Sequence, residues 1–344
     1  MVLRKELLQN AGFLRDLDAG LPAASLRRKH GRGESEGNWR TVCRELRSER
    51  AAGKSALPAP PPDFESDKKE DTFHWRKACG VVQQMQALSK EASTSQDEAT
   101  IKFSGLEKPI VVWPISDWHF GSYGSDYGAI EEMTDYIVNT DNLYIAVVGD
   151  MLQMAIKMRG VLEMMDNALP PKLQMKFLDT WINDVAHKIL FASFDNHSVI
   201  REENATGFSE YANKFGKKCI YHNGIGHTDI VANEQVYKVA VSHRFRGSSF
   251  INPVHGLCRY LRMEAPDREI AIQGDTHVPA FMQYPEGGSL RTVINCGTLQ
   301  TNSGYGKRFF SLKTWTDFPA LVLFHDRHKV LPFWKVEDAL EAAH

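Results

Sequence analysis

Along this chain the spacing of apolar positions changes character near residue 100. Ahead of that point they recur at helical intervals. Leu7, Leu8, Ala11, Leu14 and Leu17 predict a helix over residues 6–18 that closes at Gly20, and LPAASLRRKHG predicts a second, short one ending at Gly31. After the turn RGESEG a third helix is expected. Asn38 is its N-cap, Trp39, Val42, Cys43 and Leu46 share one face, and Arg40, Arg44, Arg47 and Arg50 are left to solvent. Residues 51–70 (AAGKSALPAPPPDFESDKKE) are Pro-rich and then charged, the composition of an extended linker. HWRKACGVVQQMQALSKEA, residues 74–92, predicts one amphipathic helix, with a loop after it.

Beyond residue 101 short β-branched runs take over. PIVVWPISD and YIAVVGD flank a helical stretch over residues 127–139, giving strand, helix, strand. A long helical region is expected over residues 151–188, broken at Pro170 and Pro171, before the run KILFASFDNH. The remainder is richer in strands: KCIYH, DIVAN, QVYKVAVSH, EIAIQGDTH, RTVINCG and ALVLFHD. This pattern predicts an α/β fold with two packed mixed β-sheets flanked by helices, plus a small all-α N-terminal domain. The expected division is 1–50 helical, 51–73 linker, 74–100 bridging helix and loop, and 101–344 the large domain.

Composition adds limits. With 344 residues, 42% hydrophobic and 24% charged, the chain is long enough for one large cored domain and a smaller module. No run approaches the roughly 18 apolar residues of a membrane helix, and MVLRKELLQN lacks a secretory apolar core, so a cytoplasmic location without a membrane partner is expected. Cysteines 43, 79, 219, 258 and 296 are scattered and form no CxxC pair, which argues against a disulfide framework and a thiolate zinc site. Residues 1–54 carry 12 Lys+Arg against 7 Asp+Glu, while the rest carries 29 against 36. Three short helices with a basic third face are similar to a helix-turn-helix module, which makes DNA an expected partner through Arg40, Arg44 and Arg47. A small helical bundle with a solvated face is the alternative, and assembly as a homo-oligomer stays open.

The chemistry lies where the strands end. Asp117 and His119 close one run, Asp150 another, Asn196 and His197 a third, His243 a fourth, and Asp275 and His277 a fifth. Ligand crevices of α/β sheets lie beyond the carboxyl ends of strands, so these termini can converge. In D-x-H both side chains are expected on the same side of an extended segment. Carboxylate, imidazole and amide oxygen without thiolate suit hard to borderline divalent ions.

The motifs D-W-H (117–119), G-D (149–150), D-N-H (195–197), S-H (242–243) and G-D-T-H (274–277) resemble, in that order, those of the calcineurin-like metallophosphoesterase family, over about residues 108–300. The resemblance implies an αββα sandwich and two divalent ions, manganese first with iron or zinc as alternatives, bridged by Asp150. Asp117, His119 and His277 would hold one ion, and Asn196, His243 and Asp275 the other. His197 would face the scissile phosphate while a metal-activated hydroxide attacks phosphorus in line. Two positions depart from the pattern. Asp195 stands where the family has glycine, with Glu203-Asn204 as a competing register, and Asp275 stands where the family has histidine. Either Asp275 ligates the second ion and favours a harder metal, or only one ion binds well.

Arg244 and Arg246 after His243, and Tyr305, Lys307 and Arg308 in TNSGYGKRFF, are candidates for contacts to substrate phosphates and bases. His222, His227 and His255 match no motif and are expected to be surface or hydrogen-bonded. The implied activity is metal-dependent phosphodiester hydrolysis, with a DNA nuclease of the repair type as the leading reading. A nucleotide phosphatase or phosphodiesterase, and a DNA-binding regulator with a decayed esterase site, are the alternatives.

Overall fold

A computed structural model describes residues 7–31, 36–53, 75–92, 96–155, 166–247, 249, 251–301 and 317–344. The chain divides into two compact units, Met1–Val82 and Gln83–His344.

The first unit is built on α1 (Ala11–Asp18), α2 (Ala23–His30) and α3 (Glu36–Gly53). The first helix does not run unbroken from residue 6 as expected. Asn10 leaves helical geometry and its side chain accepts from Phe13 N at 3.0 Å, capping α1. Helix α3 starts two residues ahead of Asn38, which therefore lies in its first turn. Phe13, Leu17, Leu26, Trp39, Cys43 and Leu46 are buried together, and Phe13 meets Trp39 edge to face at 5.8 Å. Each such side chain contributes about 1.5–3 kcal/mol.

The basic face of α3 differs from expectation. Arg40 and Arg44 are exposed. Arg47 instead donates to the Leu21 carbonyl, and Arg50 Nε donates to Asp18 Oδ1 at 2.8 Å. Both long stems reach back to the α1–α2 region because its carbonyl and carboxylate need donors there. Helix α4 spans Trp75–Ala92, and the division between the units falls inside it.

In the second unit the described strands form two six-stranded sheets. One has the order β12 (Val330–Phe333), β11 (Ala320–Leu323), β2 (Ile110–Ile115), β3 (Leu143–Val147), β4 (Ile189–Ser193) and β5 (Ile220–His222). The other has β1 (Glu98–Phe103), β6 (Gly226–Ala232), β7 (Gln235–Val241), β8 (Ile270–Gln273), β10 (Ser289–Asn295) and β9 (Ala280–Glu286). Both are mixed: β2, β3, β4 and β5 run parallel with β11 antiparallel to β2, and β7, β8 and β10 run parallel with β6 and β9 antiparallel. Strand β1 begins at Glu98, inside the expected bridging segment.

Alternation along the strands shows the layering. In β8, Ile270 and Ile272 join the large core that contains β2, β3 and β4, whereas Ala271 joins Leu257 and Leu261 of α9 (His255–Met263). The sheets therefore pack face to face with helices outside, an αββα sandwich. Helix α5 (Tyr127–Asn139) lies against β3, and α10 (Val336–Ala342) against β11 and β12. Instead of helix from residue 151, Leu152 bridges Phe120, and α6 begins only at Pro171 and ends at Val185. Two short helices not anticipated, α7 (Val199–Thr206) and α8 (Glu210–Gly216), follow β4. Among the described residues no helix is long and apolar enough to cross a membrane.

Candidate metal centre

Parallel strands β2, β3 and β4 deliver their carboxyl ends to one edge of their sheet, and β7 and β8 do the same in the other. Backbone hydrogen bonds then hold the loops together. Asp117 N donates to Gly149 O at 3.1 Å, His119 N to Asp150 O at 3.0 Å and Phe120 N to Met151 O at 2.8 Å, so two loops run side by side. Across the sheets, Asp275 N donates to Asp117 Oδ2 at 3.0 Å. Gly149 has φ +90°, and a Cβ there would lie 2.6 Å from His243 Nδ1 and 2.7 Å from Asp195 Cβ. A Cβ on Gly274 would lie 2.1 Å from Ser116 Oγ and 2.7 Å from Asp117 Oδ2. The two G-D pairs thus use glycine to let the strand ends touch.

Asp117, His119, Asp150, Asp275 and His277 all have left-handed backbone, with φ of 55°, 47°, 49°, 67° and 57°. Such geometry costs about 1–3 kcal/mol per residue and concentrates at functional sites. It also corrects the reading of D-x-H. The segment curls rather than extends, and curling is what aims both side chains inward.

The donor atoms meet in three overlapping sets: Asp117, His119 and His277; His119, Asp150 and His197; and Asp117, Asp150 and His243. Within each set the ligand atoms lie within 4.8 Å of one another. His277 Nε2 is 3.1 Å from Asp117 Oδ1 and 3.2 Å from His119 Nε2. His243 Nε2 is 3.2 Å from Asp150 Oδ2, and His197 Nε2 is 3.7 Å from the same oxygen. Two imidazoles are fixed from behind. His119 Nδ1 donates to Gln153 Oε1 at 3.0 Å and His243 Nδ1 to the Val148 carbonyl at 2.7 Å, so each turns Nε2 toward the centre. Asp117 Oδ1 and His243 Nε2 are buried without a well-formed hydrogen bond. Orphaned inward atoms in an oxygen and imidazole set fit divalent ions.

Burial opposes charge throughout, and local partners decide the outcome. It pushes His119 down to about 3, with His197 adding to the effect and Asp150 opposing it, so this ring is neutral near pH 7. Burial would raise Asp150, but His197 and His243 beside it hold the carboxyl well below the usual range; Asp117 is lowered against burial by His277 and His243. Against the same burial, Asp150 and Asp117 raise His243 and Asp117 raises His277. These are protonated imidazoles standing where cations would stand.

The remaining candidates fall differently. Asn196 is exposed, and the buried side chain of D-N-H is that of Asp195, because its Oδ1 caps α7 by accepting from Ser198 N at 2.5 Å and Val199 N at 3.2 Å. The amide expected at the second ion therefore points outward. Glu203 and Asn204 are exposed on α7, away from the strand end. Burial raises Asp275, whose Oδ1 is 3.9 Å from His243 Nε2 and whose Oδ2 is 3.0 Å from Arg244 Nη1. Arg244 thus neutralises the carboxylate that stands in place of histidine. Arg246 is exposed, and Tyr305, Lys307 and Arg308 lie outside the described residues. His222 Nε2 pairs with Thr228 Oγ1 at 2.8 Å and His227 Nε2 with Tyr260 OH at 2.9 Å. Gln153 and Arg201, which no strand-end pattern flags, also reach the centre: Arg201 Nη2 is 3.3 Å from His197 Nε2. The helical spacing of four between His197 and Arg201 was their available signal.

No family model and no curated protein matches the chain. Solved structures do. Vacuolar protein sorting 29 from Cryptosporidium parvum is 15% identical over 67% of this chain and 100% of its own, with TM-score 0.38. Vps29 from Entamoeba histolytica, complexed with zinc, is 12% identical over 65% and 98%, with TM-score 0.35. The Thermotoga maritima protein TM1076 is 10% identical over 65% and 99%, with TM-score 0.32. Identities and TM-scores at this level assign no activity to this chain.

Proposed function

We propose that the protein is a metal-dependent phosphoesterase that hydrolyses phosphodiester bonds, with DNA as its substrate. The observation that carries the reading is the meeting of Asp117, His119, Asp150, His243 and His277, drawn from four strand ends in two sheets, with their donor atoms turned toward one another. One ion fits Asp117, His119 and His277, and a second fits Asp150 and His243 with Asp275 at its edge. When bound, such ions lower the pKa of water and neutralise phosphate charge. Asp150 is the shared carboxylate: Oδ1 accepts from His197 N at 3.1 Å while Oδ2 faces His243. His197 sits at the rim, its side chain 19% exposed, and burial lowers its pKa against the pull of Asp150. It faces the substrate as a hydrogen-bond donor through Nε2 and is placed to protonate the departing oxygen.

DNA is favoured over a mononucleotide by the exposed Arg40 and Arg44 on α3 of the first unit, which suit a phosphate backbone. The deciding experiment loads the protein with manganese and offers bis-p-nitrophenyl phosphate, mononucleotides, and single- and double-stranded DNA, with and without residues 1–70. Cleavage of DNA is expected. Activity confined to mononucleotides refutes the nuclease reading, and failure to retain any ion by elemental analysis refutes the enzyme. His197→Ala is expected to keep the metal content and lower turnover by about 100-fold or more; loss of metal in this variant would make His197 a ligand.

A further inference from the structure

Arg201 is the third residue of α7, one helical turn beyond His197, and its side chain folds back over the metal centre. Nη1 donates to the Gln153 carbonyl at 2.6 Å, and Nη2 reaches 3.3 Å from His197 Nε2. The side chain of the same Gln153 orients His119 at 3.0 Å. The guanidinium is thus anchored to the loop that aims a ligand, while its outer nitrogen stands beside the imidazole at the rim. His197 Nε2 in turn lies 3.7 Å from Asp150 Oδ2, so Arg201 is one side chain removed from the shared carboxylate.

Chemistry narrows what this pair can hold. A guanidinium and an imidazole presenting nitrogens to one point gain little from each other and much from an oxyanion placed between them and the ions. The surrounding side chains are Asp117, Asp150 and Asp275, which repel an anionic substrate, so a fixed cation at the entrance is needed beyond what bound ions supply. Arg244 does not provide it. Its side chain is 62% exposed and is engaged with Asp275 at 3.0 Å.

We propose that Arg201 is a substrate-binding residue that, together with His197, holds a nonbridging oxygen of the phosphoryl group undergoing hydrolysis. This rests on the phosphoesterase reading above. Arg201 fixes the phosphate against the centre so that His197 addresses the leaving oxygen, and the Gln153 carbonyl keeps the guanidinium from swinging out.

The test titrates inorganic phosphate into the manganese-loaded full-length protein by calorimetry, for wild type, Arg201→Gln, Arg201→Lys and His197→Ala. It is paired with metal analysis, thermal unfolding and hydrolysis of bis-p-nitrophenyl phosphate. Arg201→Gln is expected to weaken phosphate binding by about tenfold or more and to raise KM, with metal content and unfolding unchanged, and Arg201→Lys to recover part of the loss. Phosphate affinity within about twofold of wild type in Arg201→Gln, or no phosphate binding by wild type, overturns the proposal. Phosphate binding that depends on Arg201 in a protein that hydrolyses nothing supports the anion site while refuting the phosphoesterase; hydrolysis that persists with unchanged phosphate affinity does the reverse. If Arg201→Gln loses metal or stability, Arg201→Lys decides: retained metal with weakened phosphate binding supports the proposal, and unchanged phosphate binding overturns it.

Discussion

Asp195 offers a direct measure of how strongly the centre resists charge. Its side chain is fully buried, and burial with Asp150 nearby raises its pKa from the ordinary 3.8 to about 7. Asp195→Asn keeps an oxygen for the α7 cap and replaces Oδ2, which has no hydrogen-bond partner, with an uncharged group. An Asp with a raised folded pKa takes up a proton on folding, so its stability contribution is full below 3.8 and is lost as the pH rises through about 7. The displacement corresponds to about 4 kcal/mol, accumulating at about 1.4 kcal/mol per pH unit. Urea unfolding of the chelator-treated protein at a series of pH values should therefore show the variant gaining on wild type across that window, by up to about 4 kcal/mol at about pH 8. A difference that does not change with pH would refute a buried, proton-binding Asp195, and a less stable variant at about pH 8 would show that the carboxylate is held by a partner that only its charged form satisfies.

Other consequences follow from single contacts. Gln153→Ala removes the acceptor behind His119 Nδ1 and should weaken manganese binding about 10–100-fold by calorimetry with unchanged circular dichroism; unchanged affinity would mean that the ring holds its orientation unaided. Gly274→Ala forces a Cβ to 2.1 Å from Ser116 Oγ and should cost about 1–3 kcal/mol in urea unfolding together with part of the metal affinity, whereas a neutral result would show that the strand ends are looser than drawn. Arg47→Ala should destabilise the first unit by about 1 kcal/mol through loss of the Leu21 contact, while Arg44→Ala leaves stability unchanged and lowers both the affinity for a short duplex and its salt dependence; equal effects of the two on binding would contradict their different exposures.

What the sequence disclosed, and what it hid, divides along one physical line. Strand-terminal ligands were legible because a β run followed by a polar residue records a local fact, and Asp117, Asp150, His243 and His277 each end such a run. The order of those runs carried the αββα layering for the same reason. Residues whose role depends on the course of the chain after the strand were not legible. Asn196 and Asp195 are neighbours, and only the start of α7 at Val199 turns Asp195 inward as a cap and leaves Asn196 outside. Arg201 became visible by the same turn of helix, since an unseen helix hides its spacing of four from His197. Arg47 shows the limit on the other unit: periodicity placed it on the basic face, and a carbonyl left without a donor at Leu21 drew it back. Patterns of period two and 3.6 report which way a residue starts out. Long side chains and unpaired backbone groups then settle where its charge ends up, and at the metal centre that second step chooses which carboxylates face the ions.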